Sequence, residues 1–186
     1  MVYNGMTSLD FVGVYDPLTR LKTMGFATDL SWEICSFQGD VTDSTGLRIT
    51  PTKIGGSFEG YDMMVVPGGL GSRELLQNQK FIEWLRSSSG CKFKVSVCTG
   101  SLLLGASGFL RGRKATTHRT AFNDLKQFCA TVVDERIVDE GEIITARGVT
   151  SSIDLGLYLC ERFFGHEVKE KIRLQMDYCP SPDPSC

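Results

Sequence analysis

Histidine is nearly missing: the chain has two, His118 and His166, against seven cysteines. No two cysteines are spaced C-x-x-C, so the usual Cys and His ligand set of a zinc site is not in view. Excess charge is missing as well. Twenty Lys and Arg against 22 Asp and Glu leave a net charge of −2, which gives no electrostatic reason to expect nucleic acid or an anionic membrane as partner. No apolar run reaches the length of a membrane span, and the start Met1-Val2-Tyr3-Asn4-Gly5 lacks the basic and apolar regions of a secretory signal. The chain reads as cytoplasmic, where a disulfide framework is not expected. Internal repeats and long linkers are absent too, so residues 1–186 read as one domain.

What the chain does have is alternation of strand-like and helix-like stretches. Residues 1–3 read as the end of a strand, and Asn4-Gly5 as a turn. Thr7-Ser8-Leu9-Asp10 offers caps to a helix with Phe11, Val12, Tyr15, Leu18 and Leu21 at helical spacing, closed by Gly25 and kinked or restarted at Pro17. Residues 28–37 alternate as a strand, and 46–51 form a short extended piece. Asp62-Met63-Met64-Val65-Val66 is continuously apolar after its first residue, as suits a strand covered on both faces, and it ends in Pro67-Gly68-Gly69. Helices follow at 74–76 and 79–87, the second with Phe81, Ile82 and Leu85 as its buried stripe. Further on, 115–118 reads as a strand and 121–128 as a helix. Short strands at 132–133, 136–138 and 142–145 precede helices from 149 and 166. The pattern predicts an α/β sandwich with a mainly parallel sheet, whose ligands bind beyond the carboxyl ends of the strands.

The most distinctive stretch is Lys94-Val95-Ser96-Val97-Cys98-Thr99-Gly100-Ser101-Leu102-Leu103-Leu104-Gly105. Strand, sharp turn and helix, with a nucleophile at the bend, is the layout of a nucleophile elbow. Cys98 at a helix N-terminus has orphan N–H groups and the positive end of the helix dipole beside it, which favour thiolate and can receive an oxyanion. The same local pattern fits an inert buried thiol. Cys35 and Cys160 sit in apolar periodic segments and read as core; Cys179 and Cys186 flank a Pro-rich tail and read most simply as exposed thiols.

A cysteine needs a group that moves protons. Asp10 starts a helix directly after the first strand, so its carboxyl would share the sheet edge with Cys98; apolar neighbours Leu9 and Phe11 would raise its pKa. It also fits a plain N-cap. Thr99 offers a hydroxyl and a backbone N–H to the pocket, although capping alone would explain it. His118 could approach from the next strand, and as readily packs under the strand end. The loop after Val66, with Gly68-Gly69, opens on the same edge.

Pro67-Gly68-Gly69, Ser96-Val97-Cys98-Thr99-Gly100-Ser101, Gly112-Arg113-Lys114-Ala115-Thr116-Thr117-His118 and Gly148-Val149-Thr150-Ser151-Ser152-Ile153-Asp154 together resemble the ThiJ/PfpI superfamily of the class I glutamine amidotransferase-like fold. Leu9-Asp10-Phe11-Val12-Gly13 looks like the early aspartate motif of its isocyanide hydratase branch. The resemblance spans about residues 4–180, and the sensor domains of AraC-type regulators share its Cys-Thr-Gly and Ala-Thr-Thr-His stretches. It implies a flavodoxin-like three-layer sandwich, usually a homodimer, acting on a small molecule without metal or other cofactor. By resemblance Cys98 is the nucleophile, Asp10 the general acid and base, and Thr99 a pocket hydrogen-bonder. The N–H groups of Gly69 and Thr99 would then form the anion pocket, with Gly68 and His118 lining it. Thr99 stands where PfpI proteases carry histidine, Asp10 where deglycase-like members carry glutamate, and Val14 where the hydratase motif continues to proline. The chain also starts inside the family's first strand, so that strand is expected to be short. The activity implied is hydration of an isocyanide to an N-formamide. Glyoxalase-, deglycase- or amidase-like chemistry at the same thiol is the alternative enzyme reading, and a cysteine redox sensor the non-catalytic one.

Overall fold

The structure is a computed structural model and describes residues 1–179. In chain order the helices and strands are α1 (Ser8–Thr23), β1 (Cys35–Ser36), β2 (Val41–Thr42), β3 (Arg48–Ile49), β4 (Lys53–Ile54) and β5 (Met63–Val66). Next come α2 (Gly71–Leu75), α3 (Gln79–Arg86), β6 (Phe93–Val97), α4 (Gly100–Ala106), β7 (Lys114–Ala115) and α5 (Phe122–Leu125). The series ends with β8 (Thr131–Val132), β9 (Ile137–Asp139), β10 (Ile143–Ala146), α6 (Ser151–Phe164) and α7 (His166–Gln175).

The central sheet has the order β5-β6-β10-β9, parallel except for β9. Beyond β5 the N-terminal segment continues it: the Met1 amine donates to Val65 O at 2.7 Å, and Val2 forms a parallel bridge to Ser36 of β1, which pairs in parallel with β4. The first strand expected at 1–3 is therefore a single bridge. Alternation along the strands sends side chains to two covered faces. Met64, Val66 and Ile143 join Phe81, Leu85 and Leu102–104 on the α3/α4 side, while Val95, Val97, Ile144 and Ala146 join Val14, Leu155 and Leu159 on the α1/α6 side. The outcome is the flavodoxin-like sandwich with a mainly parallel sheet.

Register fixes the functional edge. Val66 lies opposite Ser96, and Ala146 opposite Val97, so β5, β6 and β10 end side by side and their following loops converge.

Several elements differ from the sequence expectation. The strand at 28–37 shrinks to Cys35–Ser36; Ile34 N–H goes to the Thr52 hydroxyl, and 28–33 remain irregular and mostly solvent-facing. Pro17 does not restart α1, which runs unbroken from Ser8 to Thr23. The strand at 115–118 stops at Ala115, and the helix at 121–128 becomes a 3-10 turn followed by four α-helical residues. Cys179 is disulfide-bonded and so not the thiol expected; Cys186 lies outside the described residues.

Candidate active site

Two segments make the core of the site. β6 delivers Cys98 at its carboxyl end, and the backbone turns there with φ +53°, the left-handed region that L-residues occupy at a cost of about 1–2 kcal/mol. Hydrogen bonds hold the bend on both sides. Cys98 N–H donates to Ala146 O at 2.9 Å, and Cys98 O accepts from the Thr117 hydroxyl and the Ser101 hydroxyl, each at 3.0 Å. These bonds leave the sulfur as the part of the residue available for chemistry. Neither Thr117 nor Ser101 stood out in the sequence, although both lie inside the motif stretches quoted for the resemblance.

Asp10 comes from the first turn of α1 and is fully buried. Its Oδ2 accepts from Gly68 N–H at 2.9 Å. Cys98 stands close enough for its thiol to stabilise the Asp10 charge. No well-formed hydrogen bond closes between them, and Asp10 Oδ1 is buried without a partner. Burial is the main cause that lifts the Asp10 pKa from an ordinary 3.8 to about 6, against the lowering pull of Gly68 N–H and Cys98. Gly68 is needed for this closeness: a Cβ there would sit 2.5 Å from Thr99 N and 2.8 Å from both Asp10 Oδ2 and Cys98 Cβ.

The thiol behaves differently from expectation. Burial, and next the negative charge of Asp10, push Cys98 up to about 12, while the Thr99 backbone N–H and hydroxyl pull it down. With 6% of its surface exposed, Cys98 loses hydration that a short helix end does not replace, and a carboxylate is its nearest charge. The site therefore rests as a thiol beside a carboxyl group that changes state near pH 6.

The remaining candidates have other partners. Thr99 Oγ1 accepts from Gly69 N–H at 2.9 Å and lies 3.1 Å from Gly69 O, so it ties the 67–69 loop to the elbow. The N–H of Gly69, expected to form the anion pocket together with that of Thr99, is already given to the Thr99 hydroxyl, and the N–H of Gly68, expected to line that pocket, is given to Asp10. Thr99 N–H is the backbone donor beside the sulfur. His118 caps the 3-10 turn at Arg119–Ala121, its Nδ1 2.9 Å from Thr120 Oγ1, and has no hydrogen bond to Cys98. Tyr3, which sequence reading passed over as strand, is buried here; its hydroxyl donates to Pro67 O at 2.8 Å. Ser72 Oγ donates to Gly69 O at 2.7 Å. Among the described residues no group of three or more His, Cys, Asp or Glu gathers as a metal-ligand set, and no helix is long and apolar enough to cross a membrane.

A sequence profile described as the DJ-1/PfpI family matches residues 1–162. An isonitrile hydratase of Pseudomonas putida is 34% identical over 183 residues, covering 98% of this chain and 78% of that protein. Among solved structures, a ThiJ/PfpI family protein from Pseudomonas syringae superposes with a TM-score of 0.86 at 30% identity, over 97% of this chain and 74% of that one. Drosophila melanogaster DJ-1beta superposes with a TM-score of 0.79 at 21% identity, over 96% of this chain and 95% of that one, a likeness of fold alone.

Proposed function

Since the chain belongs to the DJ-1/PfpI family, we propose that it is a cysteine-dependent, cofactor-free hydratase converting a small isocyanide to an N-formamide, as the name of the Pseudomonas putida relative suggests. The observation that carries this reading is the buried Asp10 carboxyl, poised near pH 6, against the Cys98 thiol. A carboxyl group with a pKa near working pH serves as base and as acid in successive steps.

The chemistry needs both roles. As the sulfur attacks the terminal carbon of R–N≡C, the thiol proton passes to the Asp10 carboxylate. Asp10 then gives that proton to the same carbon, leaving the thioimidate R–N=CH–S–Cys98. Thr99 N–H lies where it can steady negative charge on sulfur during the attack. In the second half Asp10 takes a proton from water as the water oxygen adds to the thioimidate carbon, and delivers it to nitrogen. The C–S bond breaks as the carbonyl forms, the hydroxyl proton returns to sulfur, and R–NH–CHO leaves.

The near-closed site suits the slim end of an isocyanide: Cys98, Thr99 and Asp10 are all buried. The same burial disfavours the redox-sensor reading, because oxidation selects exposed thiolates. The proposal takes over from the resemblance a homodimer with a small-molecule substrate, and from the charge balance and apolar pattern of the sequence a cytoplasmic location with neither nucleic acid nor membrane as partner. Its test is formamide formation from a simple alkyl isocyanide. Turnover is expected with the native chain and a fall of roughly a thousandfold or more in Cys98→Ala. Turnover of 2-oxoaldehydes in place of isocyanides would move the assignment to the glyoxalase class, and activity surviving Cys98→Ala would end it.

A further inference from the structure

The Pro67–Gly68 peptide bond is gripped at both ends by side chains from the first ten residues. Its carbonyl accepts from the Tyr3 hydroxyl at 2.8 Å, and its N–H donates to Asp10 Oδ2 at 2.9 Å. A peptide unit is a rigid plane, so a group that fixes the carbonyl also fixes the direction of the N–H. Donation to the oxygen polarises the unit and makes its N–H a stronger donor, the cooperative effect of chained hydrogen bonds in a poorly hydrated interior.

We propose that Tyr3 is a positioning residue for the candidate site: through the Pro67–Gly68 peptide, its hydroxyl aims and strengthens the Gly68 N–H that Asp10 accepts. It touches neither the reacting sulfur nor the substrate. The surroundings agree. Tyr3 is buried, and its ring meets Phe81 edge-on with centroids 6.4 Å apart, a contact that needs no hydroxyl. Its own ionisation is pushed well up by burial and by the charges of Asp10 and Cys98, so it remains a donor across the working pH range. Among the described residues, the titratable groups acting on Asp10 are Cys98 from the elbow and Tyr3 from the N-terminal segment. α6, packed on another flank of α1, meets it with the uncharged Ser152 and Gly156.

The inference rests on the Asp10 role assigned above, but its readout needs no isocyanide. The test follows the Asp10 side-chain carboxyl by carbon-13 NMR through a pH titration in the native chain and in Tyr3→Phe, which keeps the ring and deletes the donor. Without the phenol the Gly68 N–H stabilises the carboxylate less, so the Asp10 pKa is expected to rise by roughly 0.5 to 1 unit. Should Tyr3→Phe unfold, 3-fluorotyrosine at position 3 gives the opposite sign: a stronger donor, and an Asp10 pKa that moves down. A Tyr3→Phe protein that loses stability while its Asp10 titration is unchanged overturns the inference, since that is what a purely structural bond would give. Loss of isocyanide turnover as the function while the titration still shifts leaves this link standing. Turnover with an unmoved titration removes the link alone.

Discussion

At the scale of single residues, Asp10 makes the sharpest statement about pH. Its folded carboxyl holds a proton up to about pH 6, against 3.8 for an ordinary aspartate. The stability this contributes is complete below about pH 4 and is lost as pH rises through 6. Asparagine keeps the oxygen that Gly68 N–H needs and never ionises. Asp10→Asn is therefore expected to gain stability relative to the native chain as pH rises, by roughly 2 kcal/mol between pH 4 and pH 8, measured by urea melts at the two pH values. A constant difference would show that the carboxyl is not buried as described. The identities of Asp10, Cys98 and Thr99 as candidates were legible in the sequence, because a cap-like aspartate and a strand-Cys-Thr-Gly turn are local signals. What Gly69 and His118 do was not, since it depends on which acceptor each nitrogen meets after folding. The direction of the thiol shift was missed for the same reason. Local reasoning saw a helix end, whereas burial and a carboxylate from a distant segment dominate at Cys98.

Among the elements, α1 and α6 decide where Asp10 stands. They cross closely because two glycines face the contact. A Cβ on Gly13 would lie 2.0 Å from Ser152 Oγ, and one on Gly156 would lie 2.8 Å from Pro17 Cγ and 3.0 Å from Gly13 O. Pro17 cannot donate to the carbonyl one turn back, and that break falls in the same contact, where Pro17 Cγ and Gly13 O face Gly156. Ser152 Oγ is itself engaged, 2.7 Å from Val149 O and 3.0 Å from Leu9 O, so it cannot simply swing away. Gly13→Ala should accordingly cost about 1–3 kcal/mol of stability and lower the urea midpoint with little change in slope; an unchanged midpoint would mean that the helices are free to part. Helices with a strong apolar stripe, such as α3 with Phe81, Ile82 and Leu85, were legible from periodicity. The strand expected at 28–37 was not a strand, because alternation states which face a segment could bury and not whether a neighbour is there to pair with it. Only Cys35 and Ser36 find one.

For the whole molecule, alternating strand and helix signals were enough to give the layered architecture, and parallel pairing of β5, β6 and β10 follows from the helices between them. Their aligned ends bring together the N-terminal segment, the start of α1, the 67–69 loop, the elbow and Thr117. The site thus exists only in the folded chain, and the covalent step proposed at Cys98 depends on that assembly. The most direct check is rapid-quench mass spectrometry of the Cys98 peptide during turnover of an alkyl isocyanide. The expected result is a transient mass gain equal to one intact isocyanide on Cys98 in the native chain, absent when the chain is unfolded in urea. Formamide accumulating while Cys98 never carries that mass would contradict the account.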